Sequence, residues 1–322
     1  MRRRLGPWVP TLALAVVLAL VPLPYYVIRP GPAKDVVPLI SIKDHPTYRP
    51  SGHLLLTAVL LDHATPYDVL EGWLNRSETV VRDRDLFPPG QTKQQEEQIS
   101  QSEMDTSKID AAIVALTKYA GYPERHGPGV LIEEVFGGTP ADGKLVAGDV
   151  ILRLDGKPVD DPDELSRAIR AAGTSRALEL TVRGGAETRH VRIVPGHVRG
   201  VKRPVIGVSA VRSFPFPLTI SSGDIGGPSA GLMWTLGLIE LLTPGELTGG
   251  RNIAGTGQIF PNGRVGPIGG IEQKVVAAEH AGATVFFAPR RNAAAAMSVA
   301  NRIRVVPVRS YLDALRFLKR YP

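Results

Sequence analysis

Two short runs place a serine and a lysine where hydrolytic chemistry needs them. Gly227-Pro228-Ser229-Ala230-Gly231 frames a serine with glycines at the mouth of an apolar stretch, and Gly269-Gly270-Ile271-Glu272-Gln273-Lys274 sets a lysine in a predicted first helical turn. A serine hydroxyl is a poor nucleophile until a base takes its proton. Lysine is such a base only when neutral, so its pKa must fall from about 10.4 towards roughly 7–8. Val275, Val276, Ala277 and Ala278 promise an apolar wall that disfavours the charge. Gly270 is a plausible N-cap, and a cation just beyond it faces the positive end of a helix dipole. Ser229 as nucleophile and Lys274 as base need no metal and no cofactor, and none is expected.

The elements around them are readable. Met233, Trp234, Leu236, Leu238, Ile239, Leu241 and Leu242 make the stretch after Ser229 apolar nearly all round, which predicts a buried helix. Pro228 suits a first helical position. Gly226, Gly227 and Pro228 form the turn where unpaired N–H groups at a helix start would make an oxyanion hole. The same five residues fit the G-x-S-x-G elbow of α/β-hydrolases. That elbow wants a strand directly before the serine and a histidine after it. Turn-like Ser221 to Gly226 precedes, and the only later histidine, His280, falls within the predicted lysine helix.

Gly255-Thr256-Gly257-Gln258-Ile259, then Gly263 through Lys274, together with Gly227 to Gly231, Ala277-Ala278, Gly282, Pro289 and Asn292, resemble the catalytic domain of Lon-type Ser/Lys proteases. The resemblance covers roughly residues 220–292. It implies an α/β (α+β) proteolytic domain, Ser229 as nucleophile, Lys274 as base, and Thr256 as a support that hydrogen-bonds the lysine. It also suggests a ring of copies, a homo-oligomer. Two positions depart from the family: Gly226 stands where an acidic residue is usual, and Gln258 where Glu is usual. Gly138 to Lys144 fits G-x-x-x-x-G-K but lacks the closing Ser/Thr, so no ATPase module is expected.

Trp8 to Ile28 carries no charge and follows Arg2, Arg3 and Arg4. That length suits a hydrocarbon core of about 30 Å, and the arginines place the N-terminus inside. The expectation is a transmembrane anchor within residues 1–30 in a bacterial cell membrane, with the catalytic part outside. The alternative is a cleaved signal peptide ending near Ala33. The chain has no cysteine, hence no disulfide. Its net charge of +7 is scattered and accompanies no nucleic-acid motif, so no nucleic-acid partner is expected.

Residues 31–50, rich in Pro and polar groups, read as a tether. Residues 51–121 would start the proteolytic domain, with a strand over Leu54–Leu61 and a long loop over Leu86–Gln101 that leaves room for a helical stretch. A helix would follow, carrying Ile109, Ile113 and Leu116, with Thr106 as N-cap and Gly121 as its stop. Residues 198–322 would complete that domain. Between them, residues 122–197 run strand, Pro-Ala turn, Gly148-Asp149 strand, then a capped helix from Asp161 and two closing strands. This order resembles a PDZ domain of bacterial envelope proteases. It implies a groove between the Val130–Val135 strand and the Asp161–Ala172 helix, with a peptide carboxylate held near Gly127, Gly129 and Val130. The expected function is an ATP-independent, membrane-anchored serine endopeptidase acting on exported or membrane proteins, with the PDZ domain recognising polypeptide substrates. The alternative is a catalytically silent peptide-binding adaptor.

Overall fold

The computed structural model describes residues 23–74, 77–86, 93–198 and 200–321. Its main body is a six-stranded sheet in the order Arg304–Val308, Val285–Pro289, Asn252–Gly255, His53–His63, Tyr25–Asp35, Thr79–Arg82. The first four strands are mutually parallel, and Tyr25–Asp35 runs antiparallel to both its neighbours. Alternation along the strands loads both faces. Leu54, Leu56, Ile253, Val285 and Phe287 point into one core with the helix Gly231–Leu242. Leu55, Ala254, Phe286 and Ala288 point into the other with the helix Ile271–His280. The serine and lysine helices therefore cover opposite faces of one sheet.

The transmembrane expectation is corrected here. Tyr25–Ile28, placed at the outer end of a spanning helix, begin the Tyr25–Asp35 strand, which pairs on both sides. Among the described residues no helix is long and apolar enough to cross a membrane. The rest of the apolar segment, with Arg2 to Arg4, lies outside the described residues. A single-pass membrane location is thus not supported. Residues 31–50 are not a simple tether either: the strand runs to Asp35, and Ile40–Ile42 pairs with Leu218–Ile220.

A helix of 27 residues, Lys93–Tyr119, replaces most of the loop expected over Leu86–Gln101. Thr106 is consequently mid-helix rather than a cap. From Met104 onward this helix packs against Trp234 and its neighbours, while its polar first turns face outward.

Residues 130–193 carry a core of their own. Val130, Ile132, Ile151, Leu178, Leu180 and Val182 meet Leu165 and Ile169 of the helix Pro162–Ala172. Asp161 caps that helix by accepting from the Asp163 N–H at 2.8 Å. The sheet there runs Val208–Arg212, Val130–Val135, Val150–Leu154, Leu178–Gly184, Glu187–Ile193. Its outermost strand comes from beyond residue 197. Leu131 and Val150 turn the other way, into the core shared with the long helix.

Candidate active site

The serine turn and the lysine helix meet just past the carboxyl end of the Asn252–Gly255 strand, where ligands sit in open α/β sheets. Gly227 has φ +79°, a conformation that glycine adopts without steric cost, and it turns the chain into the short 3₁₀ segment Pro228–Ala230. Every residue of the following helix, Gly231–Leu242, is buried, so the turn stands on an apolar post. Gly257 N–H donates to Ser229 O at 2.7 Å and Leu232 N–H to Gly257 O at 3.0 Å, which laces the turn to the strand's end.

Gly270 caps the lysine helix in the left-handed conformation, φ +65°, and its carbonyl accepts from the Lys274 N–H. Asn292 clamps the loop ahead of it, accepting from Ile268 N–H at 3.0 Å and donating to Ile268 O at 2.9 Å. Lys274 Nζ lies 2.6 Å from Ser229 Oγ. It is 3.4 Å from Thr256 Oγ1, whose hydroxyl donates to Ser229 O at 3.0 Å. Lys274 is only 4% exposed, whereas Ser229 is half-buried and can be reached. Burial alone lowers the Lys274 pKa to about 8. The two family departures fit that value: Gly226 and Gln258 supply no carboxylate that would hold the lysine charged.

The expected oxyanion turn needs correction. The Gly227 N–H donates to Ser100 O at 2.7 Å, and Pro228 has no N–H. Neither can meet a developing oxyanion. Gly226 instead makes room, since a Cβ there would stand 2.3 Å from Ser100 Oγ.

Sequence reasoning missed the long helix as part of the site. Ser100 O holds Gly227, and Ser107 Oγ donates to Pro228 O at 3.0 Å. Their spacing of seven places them on one helical face, a signal hidden once the segment was read as a loop. Beside the turn opens a cleft of about 490 Å³, with Pro228, Gln258 and Phe260 on one wall and Thr106, Asp110 and Phe136 on the other. His280 is exposed and distant from any elbow role.

The groove expected between the Val130–Val135 strand and the Asp161–Ala172 helix keeps that helix but not that strand. The Gly127 N–H donates to Ser213 O and the Gly129 N–H to Asp160 Oδ1 at 2.6 Å. Val130 is paired on both sides, by Ile151 and Arg212. These three residues have no donor to offer a carboxylate, and the strand edge beside them is filled by Val208–Arg212. The open groove, about 670 Å³, runs between Val208–Ala210 and the helix Pro162–Ala172. Among the described residues, no group of three or more His, Cys, Asp and Glu side chains is placed to hold a metal ion.

Two family models match parts of the chain. Residues 221–315 match the Lon protease (S16) C-terminal proteolytic domain, and residues 102–194 match the PDZ domain. The chain is 42% identical over 66 residues to the Lon protease of Mycolicibacterium smegmatis, covering 20% of this chain and 8% of that one. It is 37% identical over 100 residues to the Lon protease of Chloroflexus aggregans, covering 30% and 12%. The chain thus matches only about a tenth of the length of these curated relatives. A solved PDZ domain of an SdrC-like protein from Listeria innocua is 24% identical, covering 26% of this chain and 92% of that one, with a TM-score of 0.24. The proteolytic-domain match supports a serine protease.

Proposed function

We propose that this chain is an endopeptidase that hydrolyses peptide bonds with Ser229 as nucleophile and Lys274 as general base, without nucleotide. The observation that carries this reading is the 2.6 Å approach of Lys274 Nζ to Ser229 Oγ in a site that burial keeps dry. With a pKa of about 8, roughly a tenth of the lysine is neutral at pH 7. Neutral Nζ takes the Ser229 proton as Oγ bonds the scissile carbonyl carbon, and the carbonyl pair moves onto oxygen. In this reading the Ser229 N–H, at the helix start, meets that oxygen. Lys274 then gives its proton to the departing amine nitrogen as the C–N bond breaks. Water attacks the acyl-serine next, with its proton passing to Lys274, which returns it to Ser229 Oγ as the C–Oγ bond breaks and the carboxyl product leaves. Thr256 Oγ1 holds Nζ on the attack line throughout.

The PDZ groove supplies recognition in this reading. A polypeptide end would add as a strand against Val208–Ala210 and bury apolar side chains on Leu165 and Ile169. The carbonyls of Ile206 and Gly207 are held from behind by Ala141 and Phe136 N–H groups. The N–H groups of that turn are thereby aimed at a terminal carboxylate. The Gly138–Lys144 run forms turns, and in this reading cleavage proceeds without nucleotide.

The test is hydrolysis of an unfolded fluorogenic protein by the purified chain without nucleotide. Cleavage that survives in Ser229→Ala, or no cleavage by the native chain, overturns the reading. An inert chain that still bound peptides would be the adaptor.

A further inference from the structure

The groove and the serine turn share a wall, the long helix Lys93–Tyr119. Ser209, which lines the groove, donates from Oγ to Glu133 Oε2 at 2.5 Å. Glu133 lies opposite an irregularity in the pairing of Val208–Arg212 with Val130–Val135, between Ser209 and Ala210. The Asp110 carboxyl on the long helix faces the Glu133 carboxylate closely enough for the two to influence each other's charge. The Glu133 backbone carbonyl accepts from Thr106 Oγ1 at 3.3 Å on the same helix. One turn back from Asp110, Ser107 Oγ holds Pro228 O, and Ser100 O holds the Gly227 N–H. The other links are hydrogen bonds between rigid elements, and Asp110 and Ser107 are both almost fully buried.

We propose that Glu133 is a positioning residue that couples the peptide groove to the serine turn through Asp110, so that a peptide seated against Val208–Ala210 tightens the turn around Ser229. This rests on the groove and active-site assignments of the proposed function. A strand added to Val208–Ala210 restrains Ser209, hence Glu133, hence the helix that carries both contacts to the turn. Two facing carboxyls avoid repulsion while one holds a proton. Burial, then Glu133 and Glu134 across the interface, push the Asp110 pKa up to about 8, so the proton stays on Asp110 at neutral pH. The other charged groups nearby are Glu103, on the same helix and the same cleft wall, and Arg212, whose charge acts on Tyr122 between the elements. Above about pH 8 Asp110 ionises, the pair repels, and the link opens.

The test uses amide hydrogen exchange on the full chain, a readout that needs no turnover. The probe is the tightest binder from a library of short peptides with free apolar C-termini. Exchange is compared with and without the peptide at the same pH. Bound peptide should slow exchange over residues 226–232 by at least about 5-fold, the low end of typical coupling between sites. At saturating peptide, Glu133→Ala and Ser209→Ala should each lose the effect, whatever Ser209→Ala does to affinity. Glu133→Gln should keep it, because the amide still accepts from Ser209 and faces Asp110. Asp110→Asn should keep it and remove its decline above pH 8, which a merely structural role would not do. If peptide binds and the 226–232 exchange does not change, or if Glu133→Ala and Ser209→Ala respond like the native chain, the coupling is refuted while the groove stands. If no peptide binds, the groove assignment falls and the coupling with it.

Discussion

The serine–lysine site and the peptide groove solve opposite problems. At Ser229 the protein removes water: Lys274 is 4% exposed, the helix behind the serine is buried throughout, and the nearby polar contacts go to other protein atoms. At the groove it keeps backbone available along Val208–Ala210, beside half-exposed side chains on the helix and the Val201–Val205 strand. Dryness changes the chemistry of a single group. An open strand edge changes nothing chemically and recognises a main chain by its regular donors and acceptors. The first site should therefore fail abruptly when one atom changes, and the second by degrees.

The largest expected effect lies at the dry site. Ser229→Ala and Lys274→Ala should each lower kcat by about 10⁴-fold or more, as groups acting as one unit do. Lys274→Arg should be equally inactive, because a guanidinium does not give up its proton in a protein. Circular dichroism should show all three folded. Appreciable turnover by Lys274→Arg would remove lysine from the role of base and with it the contrast between the two sites.

Next in size is the pH response. Neutral lysine is the active form, so kcat/KM should rise about tenfold per unit below the Lys274 pKa of about 8 and level off above it. Peptide affinity for the groove should stay flat over the same range, measured by fluorescence anisotropy on Ser229→Ala. A flat kcat/KM profile between pH 6 and 8 would mean that the lysine is already neutral or takes no part.

Groove occupancy should give the smaller change in activity. Ser166 faces the groove from the middle of its helix and accepts from Arg170 at 2.7 Å. Ser166→Trp should fill the space and weaken peptide binding about tenfold, a loss of roughly 1.4 kcal/mol. Cleavage of short peptides that do not span the two sites should continue. Undiminished binding by a folded Ser166→Trp protein would move the recognition surface elsewhere.

The contrast also explains what could be read from sequence. Ser229 and Lys274 are constrained by local spacing, a glycine turn before an apolar helix and a lysine four residues past a glycine cap, and Thr256 is supplied by the family resemblance. The first two are short-range patterns, and the structure brings the three residues together. The groove is a long-range object. Val208–Arg212 pairs with Val130–Val135 across some 75 residues of intervening chain, and a five-residue strand that mixes Val and Ala with Ser and Arg does not announce its partner. Gly127 and Gly129 looked available because glycines flank binding loops, yet their N–H groups are spent inside the fold. The long helix was hidden for another reason. Its first turns, Lys93 to Gln101, are polar, so no apolar face marks them, although they reach Gly227. The apolar run ending at Ile28 pointed to a membrane helix, yet hydropathy alone cannot tell the last residues of such a helix from the start of a β-strand buried in a sheet.

The last effect is one of stability, and its size separates the two sites. Holding Lys274 in an apolar wall lowers its folded pKa to about 8, below its value in the unfolded chain. Between about pH 8 and 10 the unfolded chain binds the extra proton, so stability should rise with pH across that window. Below it both states are protonated and the full cost of the buried charge is present. Lys274→Met removes the charge and keeps most of the volume, so at pH 7 it should stabilise the fold by roughly 1–3 kcal/mol while abolishing hydrolysis. The pH-dependent rise in stability should vanish with it. Ser166→Trp, at the open groove, should leave stability within about 0.5 kcal/mol of the native chain, as surface changes usually do. Urea unfolding at pH 7 and pH 9.5 measures both. A destabilised Lys274→Met protein would mean that Nζ contributes more through Ser229 and Thr256 than its desolvation costs. The dry site would then be held together by the lysine that it is argued to strain.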